Sequence, residues 1–391
     1  MKFAETYSST KLIIHGWYKK NLRDLPMRQT KNPYQTWVAE VILQQTRMDQ
    51  GLPYVQDFLR TFPDVKALAL ASEDKVLRKW QGLGYYSRAR NLHSSAKHVV
   101  EHFGGIMPGN YQGLLTLKGV GKYTAAAIAS WCYNEPCAAV DGNVSRVIAR
   151  LFGIEDAINS PGGEKKVLAL AGKLLDQSNP GMHNQAMIEF GALQCVPRFP
   201  SCMDCPLAES CEANLQGIVE RIPLKIKNKK PVNRWFYYYM LKWDEQTILI
   251  QRGEKDIWAG LYELPLMECG EARTEGQIVT EMLHEVLDGL TAEGQPGISG
   301  ENSPGILPGI LPGILQESTP DYTPPRLEIG KLSAPVRHQL SHQTIHARFL
   351  QVKLERLPRP LSENWKVVAL DQLDNYAMPR LIHRYLESSI F

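Results

Sequence analysis

The chain has 391 residues, with 44 Lys and Arg against 41 Asp and Glu, a net charge of +3, and 43% hydrophobic and 22% charged residues. That length exceeds one ordinary core and predicts two domains of folded, soluble character. A membrane-embedded chain is excluded because no run approaches eighteen apolar residues, and MKFAETYSSTKLIIHGWYKK lacks the basic, apolar and small-residue sections of a secretory signal. A cytoplasmic protein is expected, and stable disulfides among its seven cysteines are not.

Residues 1 to about 215 read as nearly all helix. In NPYQTWVAEVILQQT, Asn32 is a good N-cap and Pro33 suits the first helical position. Tyr34, Trp37, Val38, Val41 and Ile42 then form one apolar stripe, with Glu40 and Gln44 off it. LTLKGVGKYTAAA, at 115–127, reads as helix, tight turn and helix, the second starting at about Thr124. Gly119 and Gly121 bracket the turn; they let the backbone approach a ligand, and the free N–H groups of the next helix, with Lys122, suit a DNA phosphate. A plain helix-to-helix turn is the alternative.

A third helix starts after Asp141, in DGNVSRVIARLF, where an aspartate also reads simply as an N-cap. Farther on, CVPRFPSCMDCPLAESC places Cys195, Cys202, Cys205 and Cys211 at C-x6-C-x2-C-x5-C, a metal site by its density; Cys132, Cys137 and Cys269 are simplest as buried small residues. From Arg221 to Arg234 there are six basic residues and no acid, a solvated linker or a segment lying near phosphates.

Beyond residue 230 the pattern becomes β-like. NRWFYYYMLKW and QTILIQR flank the polar turn DEQ, HARFLQVKLE and WKVVAL are further strands, and TEGQIVTEMLHEVLDGL is helical. PGIL occurs three times from Pro304 to Leu315, which forbids helix and sheet and makes 294–325 an insertion. Its Ile-Leu pairs are either a docking peptide or low-complexity drift.

The helix-hairpin-helix LKGVGKYTA, the aspartate eighteen residues after Tyr123 and the cysteine spacing together resemble the endonuclease III superfamily of DNA base-excision glycosylases. The resemblance covers about the first 215 residues. It implies one [4Fe–4S] cluster on Cys195, Cys202, Cys205 and Cys211, with a four-thiolate zinc site as the alternative. The strand-cutting branch carries a lysine in the hairpin where this chain has Tyr123, so a monofunctional enzyme is implied. RDLPMR at 23–28, AEVILQQTR at 39–47, GLGYYSRAR at 82–90 and DGNV at 141–144 resemble the MutY-type adenine DNA glycosylases.

That resemblance makes Glu40 the general acid and sets Asp141 against the oxocarbenium-like sugar, with Tyr123 and Asn143 beside it, following the two-carboxylate logic of glycoside hydrolysis. Without it, Glu40 reads as a solvated helix carboxylate. It also implies that Gln45 and Tyr85, with Leu83, fill the gap left by an extruded adenine, and that Thr46 binds the substrate. Arg23, Leu25, Arg28 and Glu189 would line the adenine pocket, where Met27 stands in place of the usual tryptophan. GEKDIWAGLYELP, at 253–265, resembles a Nudix-like domain without the metal-binding glutamate box. HQLSH then implies that Leu340, Ser341 and His342 read 8-oxoguanine; an incidental β-turn is the alternative.

The expected fold is therefore multidomain. An all-α helix-hairpin-helix glycosylase domain (1–215) carries the iron–sulfur loop 195–211. A basic linker (216–232) and an α+β Nudix-like domain (233–391) follow. The expected function is removal of adenine mispaired with 8-oxoguanine or guanine, by a monomer acting on double-stranded DNA. Alternatives are a thymine or uracil mismatch glycosylase, an endonuclease III-like lyase, a non-catalytic iron–sulfur protein binding damaged DNA, and a Nudix hydrolase, which the missing box disfavours.

Overall fold

A computed structural model of the chain describes residues 2–226, 230–282, 327–355 and 364–390; the insertion expected at 294–325 and the side chain of Met27 lie outside what is described. The polypeptide divides into two compact units, Met1–Asn228 and Lys229–Phe391. Among the described residues no helix is long and apolar enough to cross a membrane.

The first unit is helical. Its helices are Lys2–Asn21 (α1), Pro33–Leu43 (α2), Met48–Thr61 (α3), Val65–Leu70 (α4), Glu73–Lys79 (α5), Ser87–Phe103 (α6), Tyr111–Leu115 (α7), Lys122–Tyr133 (α8), Gly142–Leu151 (α9), Pro161–Leu174 (α10), Pro180–Leu193 (α11) and Glu212–Leu215 (α12). In α2 the side chain of Asn32 accepts from the N–H groups of Tyr34 and Gln35 at 3.0 and 3.2 Å, Pro33 occupies the first turn, and Trp37, Val38 and Ile42 are wholly buried. Trp37 and Val38 belong to the stripe that the spacing picks out, so burying that face is what orients Glu40.

Helix α8 starts at Lys122, two residues before the expected Thr124, because Gly121 is its N-cap. Its small residues let α11 come close: a Cβ on Gly181 would lie 2.8 Å from the Ser130 carbonyl oxygen. Asn184 of α11 donates to Ser130 Oγ at 2.8 Å and accepts from the Ala139 N–H at 3.1 Å, tying the segment that leads to Asp141 onto the helix pair. Ile14, Val147, Ile148, Leu174, Met187 and Phe190 form the core shared by α1, α9, α10 and α11, and Cys195, Cys205 and Cys211 pack against it.

The first unit ends later than residue 215. Ile222 is buried, its carbonyl accepts from Arg150 at 3.0 Å, Ile158 donates to the Leu224 carbonyl at 3.0 Å, and Arg221 pairs with Glu155. Residues 216–226 are thus part of the helical unit rather than a free linker. The basic run conceals this because one buried side chain, Ile222, and the backbone carbonyls of Ile222 and Leu224 make the attachment.

Among the described residues the second unit is built on an eight-stranded mixed sheet: Val232–Trp243 (β1), Gln246–Gln251 (β2), Tyr262–Glu263 (β3), Leu266–Cys269 (β4), Leu327–Ile329 (β5), Val336–Gln339 (β6), Gln343–Leu354 (β7) and Trp365–Ala369 (β8). The expected hairpin is present but brief, pairing Lys242 with Thr247 and Trp243 with Gln246. The dominant pairing is parallel, β1 on β7 from Val232↔Gln343 to Lys242↔Lys353. Phe236, Tyr238 and Met240 pack with Phe349 and with Leu381 and Ile382 of the C-terminal helix Arg380–Ile390. Tyr237, Tyr239 and Leu241 pack on the opposite face with Leu350, Val352, Ile278 and Met282. Both faces of β1 are covered, which is why its sequence is a continuous aromatic run.

The turn between α7 and α8 has one position that only glycine fills well. Gly119 sits at φ +82°, and a Cβ there would lie 2.8 Å from Cβ of Asn91. Gly119→Ala is expected to cost about 2 kcal/mol in urea unfolding of the full chain. An unchanged midpoint would show that the turn relaxes freely.

Candidate active site

Three side chains converge in the first unit. Glu40, on the last two turns of α2, accepts a hydrogen bond from the Tyr123 hydroxyl, which the first turn of α8 presents. Burial pushes the Glu40 carboxyl up to about 7; the hydrogen bond from Tyr123 and the charge of Arg28 oppose this, and the negative charge of Asp141 adds to it. The Tyr123 phenol is held well above its ordinary value by burial and by the adjoining carboxylates.

Asp141 caps α9. One carboxylate oxygen accepts from the Val144 N–H at 2.8 Å and the other from the Asn143 amide at 2.8 Å. Burial pushes this carboxyl up too, while those donors and the charge of Arg146 pull it back. Asn143 is held in turn: its Oδ1 accepts from Arg146 at 2.9 Å. An amide with both ends bonded is fixed in rotamer, so the Asp141 carboxylate is fixed as well.

Glu189 of α11 is fully buried and receives two guanidinium groups. Arg23 donates through Nε and Nη2 at 2.7 and 2.8 Å and through its backbone N–H at 3.1 Å; Arg28 donates at 2.5 Å. Burial alone would raise Glu189, but the donors outweigh it and bring the carboxyl down to about 2. Leu25 is buried between the two arginines in sequence. The structure therefore joins Arg23, Arg28 and Glu189, and the charge of Arg28 reaches Glu40.

Gln45 and Tyr85 are exposed on two turns, at φ 57° and 49°, with Thr46 and Leu83 partly buried beside them. At the hairpin, Gly121 and Lys122 are exposed, and the Lys122 ammonium lies 2.8 Å from Glu164 of α10. The expected phosphate ligand is thus engaged within the chain.

The four cysteines of the 195–211 loop are partly buried, unbridged, and line one hollow with Val147, Arg150, Leu151, Phe190 and Leu207. Among the described residues no three His, Cys, Asp or Glu side chains converge as a single ion requires. The four sulfurs share a cavity instead, and Arg150 donates to Cys195 Sγ at 3.5 Å. Soft thiol donors around a largely apolar cavity, with a cation against one sulfur, suit an iron–sulfur cluster.

Sequence reasoning missed Arg146 and Arg150. Both are buried. Arg146 donates to the carbonyls of Cys195 and Gly191 at 2.8 and 2.7 Å, and Arg150 to those of Val196 and Pro197 at 2.7 and 2.9 Å. The signal was available: Asn143, Arg146 and Arg150 recur at i, i+3 and i+7, and a cation on an inward helix face must have partners.

In the second unit, Ser341 and His342 are exposed at the turn between β6 and β7, with Ser341 Oγ 3.1 Å from His342 Nδ1. Leu340 is partly buried and packs against the unit's core.

Residues 38–173, which include Glu40, Tyr123 and Asp141, match the family described as HhH-GPD superfamily base excision DNA repair protein. An adenine DNA glycosylase from Buchnera aphidicola subsp. Acyrthosiphon pisum is 33% identical over 259 residues, 66% of this chain and 74% of that protein. The chain belongs to the adenine DNA glycosylase family. The human adenine DNA glycosylase is 40% identical over 207 residues, which are 51% of this chain and 38% of that longer protein. Among solved structures, a thermostable thymine-DNA glycosylase superposes with a TM-score of 0.52 at 26% identity, over 55% of this chain and all of that one. The adenine glycosylase fold here is thus an all-helical helix-hairpin-helix unit joined to an α+β unit with a mixed sheet.

The Glu40 shift has a consequence for stability. A carboxyl raised by the fold favours the folded state below its unfolded value and loses that advantage as pH rises through about 7. Glu40→Gln has no such loss. Relative to wild type it is expected to gain up to about 3 kcal/mol between pH 4 and pH 8.5, read by urea unfolding at both. A difference independent of pH would place Glu40 in water.

Proposed function

We propose that this adenine glycosylase hydrolyses the N-glycosidic bond of adenine mispaired with 8-oxoguanine or guanine, without cutting the strand. The observation that carries the reading is the pairing of two unequal carboxyls. Glu40 has its pKa brought up to about 7, and Asp141 has its carboxylate oxygens engaged by donors of α9.

Breaking the bond puts negative charge on the leaving adenine and positive charge on the sugar. Glu40, half protonated near neutrality, would give its proton to the base. Tyr123 would orient that proton. Asp141 would face the sugar cation, its direction fixed by Asn143 and the Val144 N–H. Arg23, Arg28 and Glu189 would form the polar wall of the adenine pocket. The absence of a strand cut follows from Tyr123 standing where the lyase branch has its lysine, and from the pairing of Lys122 with Glu164.

Cys195, Cys202, Cys205 and Cys211 would hold one [4Fe–4S] cluster, which when bound cross-links the loop and fixes its carbonyls toward Arg146 and Arg150. A shared cavity suits irons bound by one thiolate each better than a lone tetrahedral zinc. The partner is double-stranded DNA carrying an adenine mispair, met by a cytoplasmic monomer. The second unit, as a Nudix-like domain, would read the partner base through Ser341 and His342. Leu340, partly buried against the core of the unit, would stand beside them in that role.

The test is incubation with duplexes carrying adenine opposite each base, followed by alkali. Adenine opposite 8-oxoguanine and guanine is expected to be released, with strand breaks only after alkali and with four irons per chain. Glu40→Gln and Asp141→Asn are each expected to lose at least about a thousandfold in single-turnover rate while still binding the duplex. The wild-type rate should fall about tenfold per pH unit above about 7. Release of thymine instead, or near-normal turnover by Glu40→Gln, would sink the reading.

A further inference from the structure

Two turns far apart in sequence are held by one cation. The guanidinium of Arg88, in the first turn of α6, donates from Nη1 to the carbonyls of Val41 at 3.0 Å, Ile42 at 3.1 Å and Gln44. From Nη2 it donates to the carbonyls of Leu83 at 3.3 Å and Gly84 at 3.2 Å. The first three belong to the C-terminal end of α2, whose carbonyls lack helical donors and carry the negative end of the helix dipole. The other two belong to the turn of GLGYY. Trp80 completes the assembly: its indole N–H donates to the Gly84 carbonyl at 3.1 Å, and the Arg88 guanidinium carbon lies 5.4 Å from its ring.

The residue that follows each clamped segment is in an unfavourable conformation. Gln45 follows Gln44 at φ 57°, and Tyr85 follows Gly84 at φ 49°. Neither is glycine or asparagine, so each conformation costs energy and persists only because its surroundings impose it. Both side chains are exposed, Tyr85 by 50%, and the Tyr85 ring lies 5.5 Å from the Arg88 guanidinium carbon. Arg88 thus grips the backbone one residue before each strained position.

We infer that Arg88 is a positioning residue that locks the turns of Gln45 and Tyr85 into one rigid unit, so that both side chains enter the duplex together when adenine leaves the stack. This rests on reading Gln45 and Tyr85 as the side chains that fill the gap. Lysine cannot substitute for this role. A single ammonium has three donors and no planar fork, and it cannot reach five carbonyls on two segments.

The experiment uses the full-length, iron-loaded protein and a duplex in which 2-aminopurine replaces the target adenine opposite guanine, so that fluorescence reports extrusion. Arg88→Lys keeps the positive charge; Arg88→Gln is carried in parallel so that the result does not hang on one variant's folding. Both should bind the fully paired duplex within about twofold of wild type, because phosphate contacts are untouched. The extrusion signal should fall on the order of tenfold or more, and single-turnover release of adenine with it. An adenine presented unstacked in a single-nucleotide bulge should be released at nearly the wild-type rate. Adding Arg88→Lys to a Gln45→Ala, Tyr85→Ala double variant should cause little further loss, since both changes remove the same step.

Wild-type extrusion by Arg88→Lys would overturn the inference. So would an equal loss on the bulged and paired substrates, which is the mark of general structural damage. If the double variant extrudes normally while Arg88→Lys does not, the assignment of Gln45 and Tyr85 fails, and the proposed route through them fails with it. Loss in the double variant with none in Arg88→Lys leaves that assignment standing and removes Arg88 alone.

Discussion

Two carboxyl groups in one buried site repel each other, and the rest of the helical unit is arranged so that they resolve the conflict unequally. Asp141 sits at a helix N-terminus with donors on both oxygens, so its charge is met by oriented N–H groups. Glu40 has a phenol for company and little water, and the negative charge of Asp141 adds to the cost of ionising it. The asymmetry places the mobile proton on Glu40. An uncharged residue at 141 would take away the smaller contribution to the raised Glu40 carboxyl and leave burial, the larger one, in place.

Helix α9 carries that arrangement outward. Its N-terminus ends on Asp141, and the face that begins with Asn143 continues through Arg146 to Arg150. The two arginines are buried cations whose partners are almost all backbone carbonyls of the cysteine loop and its flanks. Such a cation tolerates burial only while those carbonyls stay in place. The loop therefore does more than close the unit: its backbone sets the position of the helix that presents Asp141.

Much of this was legible in the chain, and the illegible parts share a cause. The stripe Tyr34, Trp37, Val38, Val41 and Ile42 marks α2 because its large apolar side chains recur at helical spacing, although the small residues Thr36 and Ala39 off the stripe are buried as well. Glu40 on its flank looked like any surface carboxylate, since nothing local records that Tyr123 and Asp141 approach it. β1 was visible as a strand, but its partner was not. Periodicity reports which faces are buried, and here both are, so the run gives no register and no neighbour. The end of the helical unit was misplaced for a related reason. Charge dominates RIPLKIK, while the segment is docked by one buried side chain, Ile222, and by backbone carbonyls that any sequence possesses. Arg88 was hidden because its contacts are to backbone carbonyls, which any sequence possesses.

The parallel pairing of β1 with β7 bears on how the protein is made. The central pair joins segments more than a hundred residues apart, from Val232↔Gln343 onward. Loop closure over such a span costs entropy before any ladder bond repays it, though the cost grows only slowly with length. A chain emerging from the ribosome can complete its helical unit while β1, with hydrophobic residues on both faces, still waits for β7. During that interval the aromatic run from Trp235 to Tyr239 is a strand without its neighbour, the state in which a nascent chain is most open to a chaperone or to a wrong edge. The glycosylase unit matures first, and the sheet that follows it has the longer exposure.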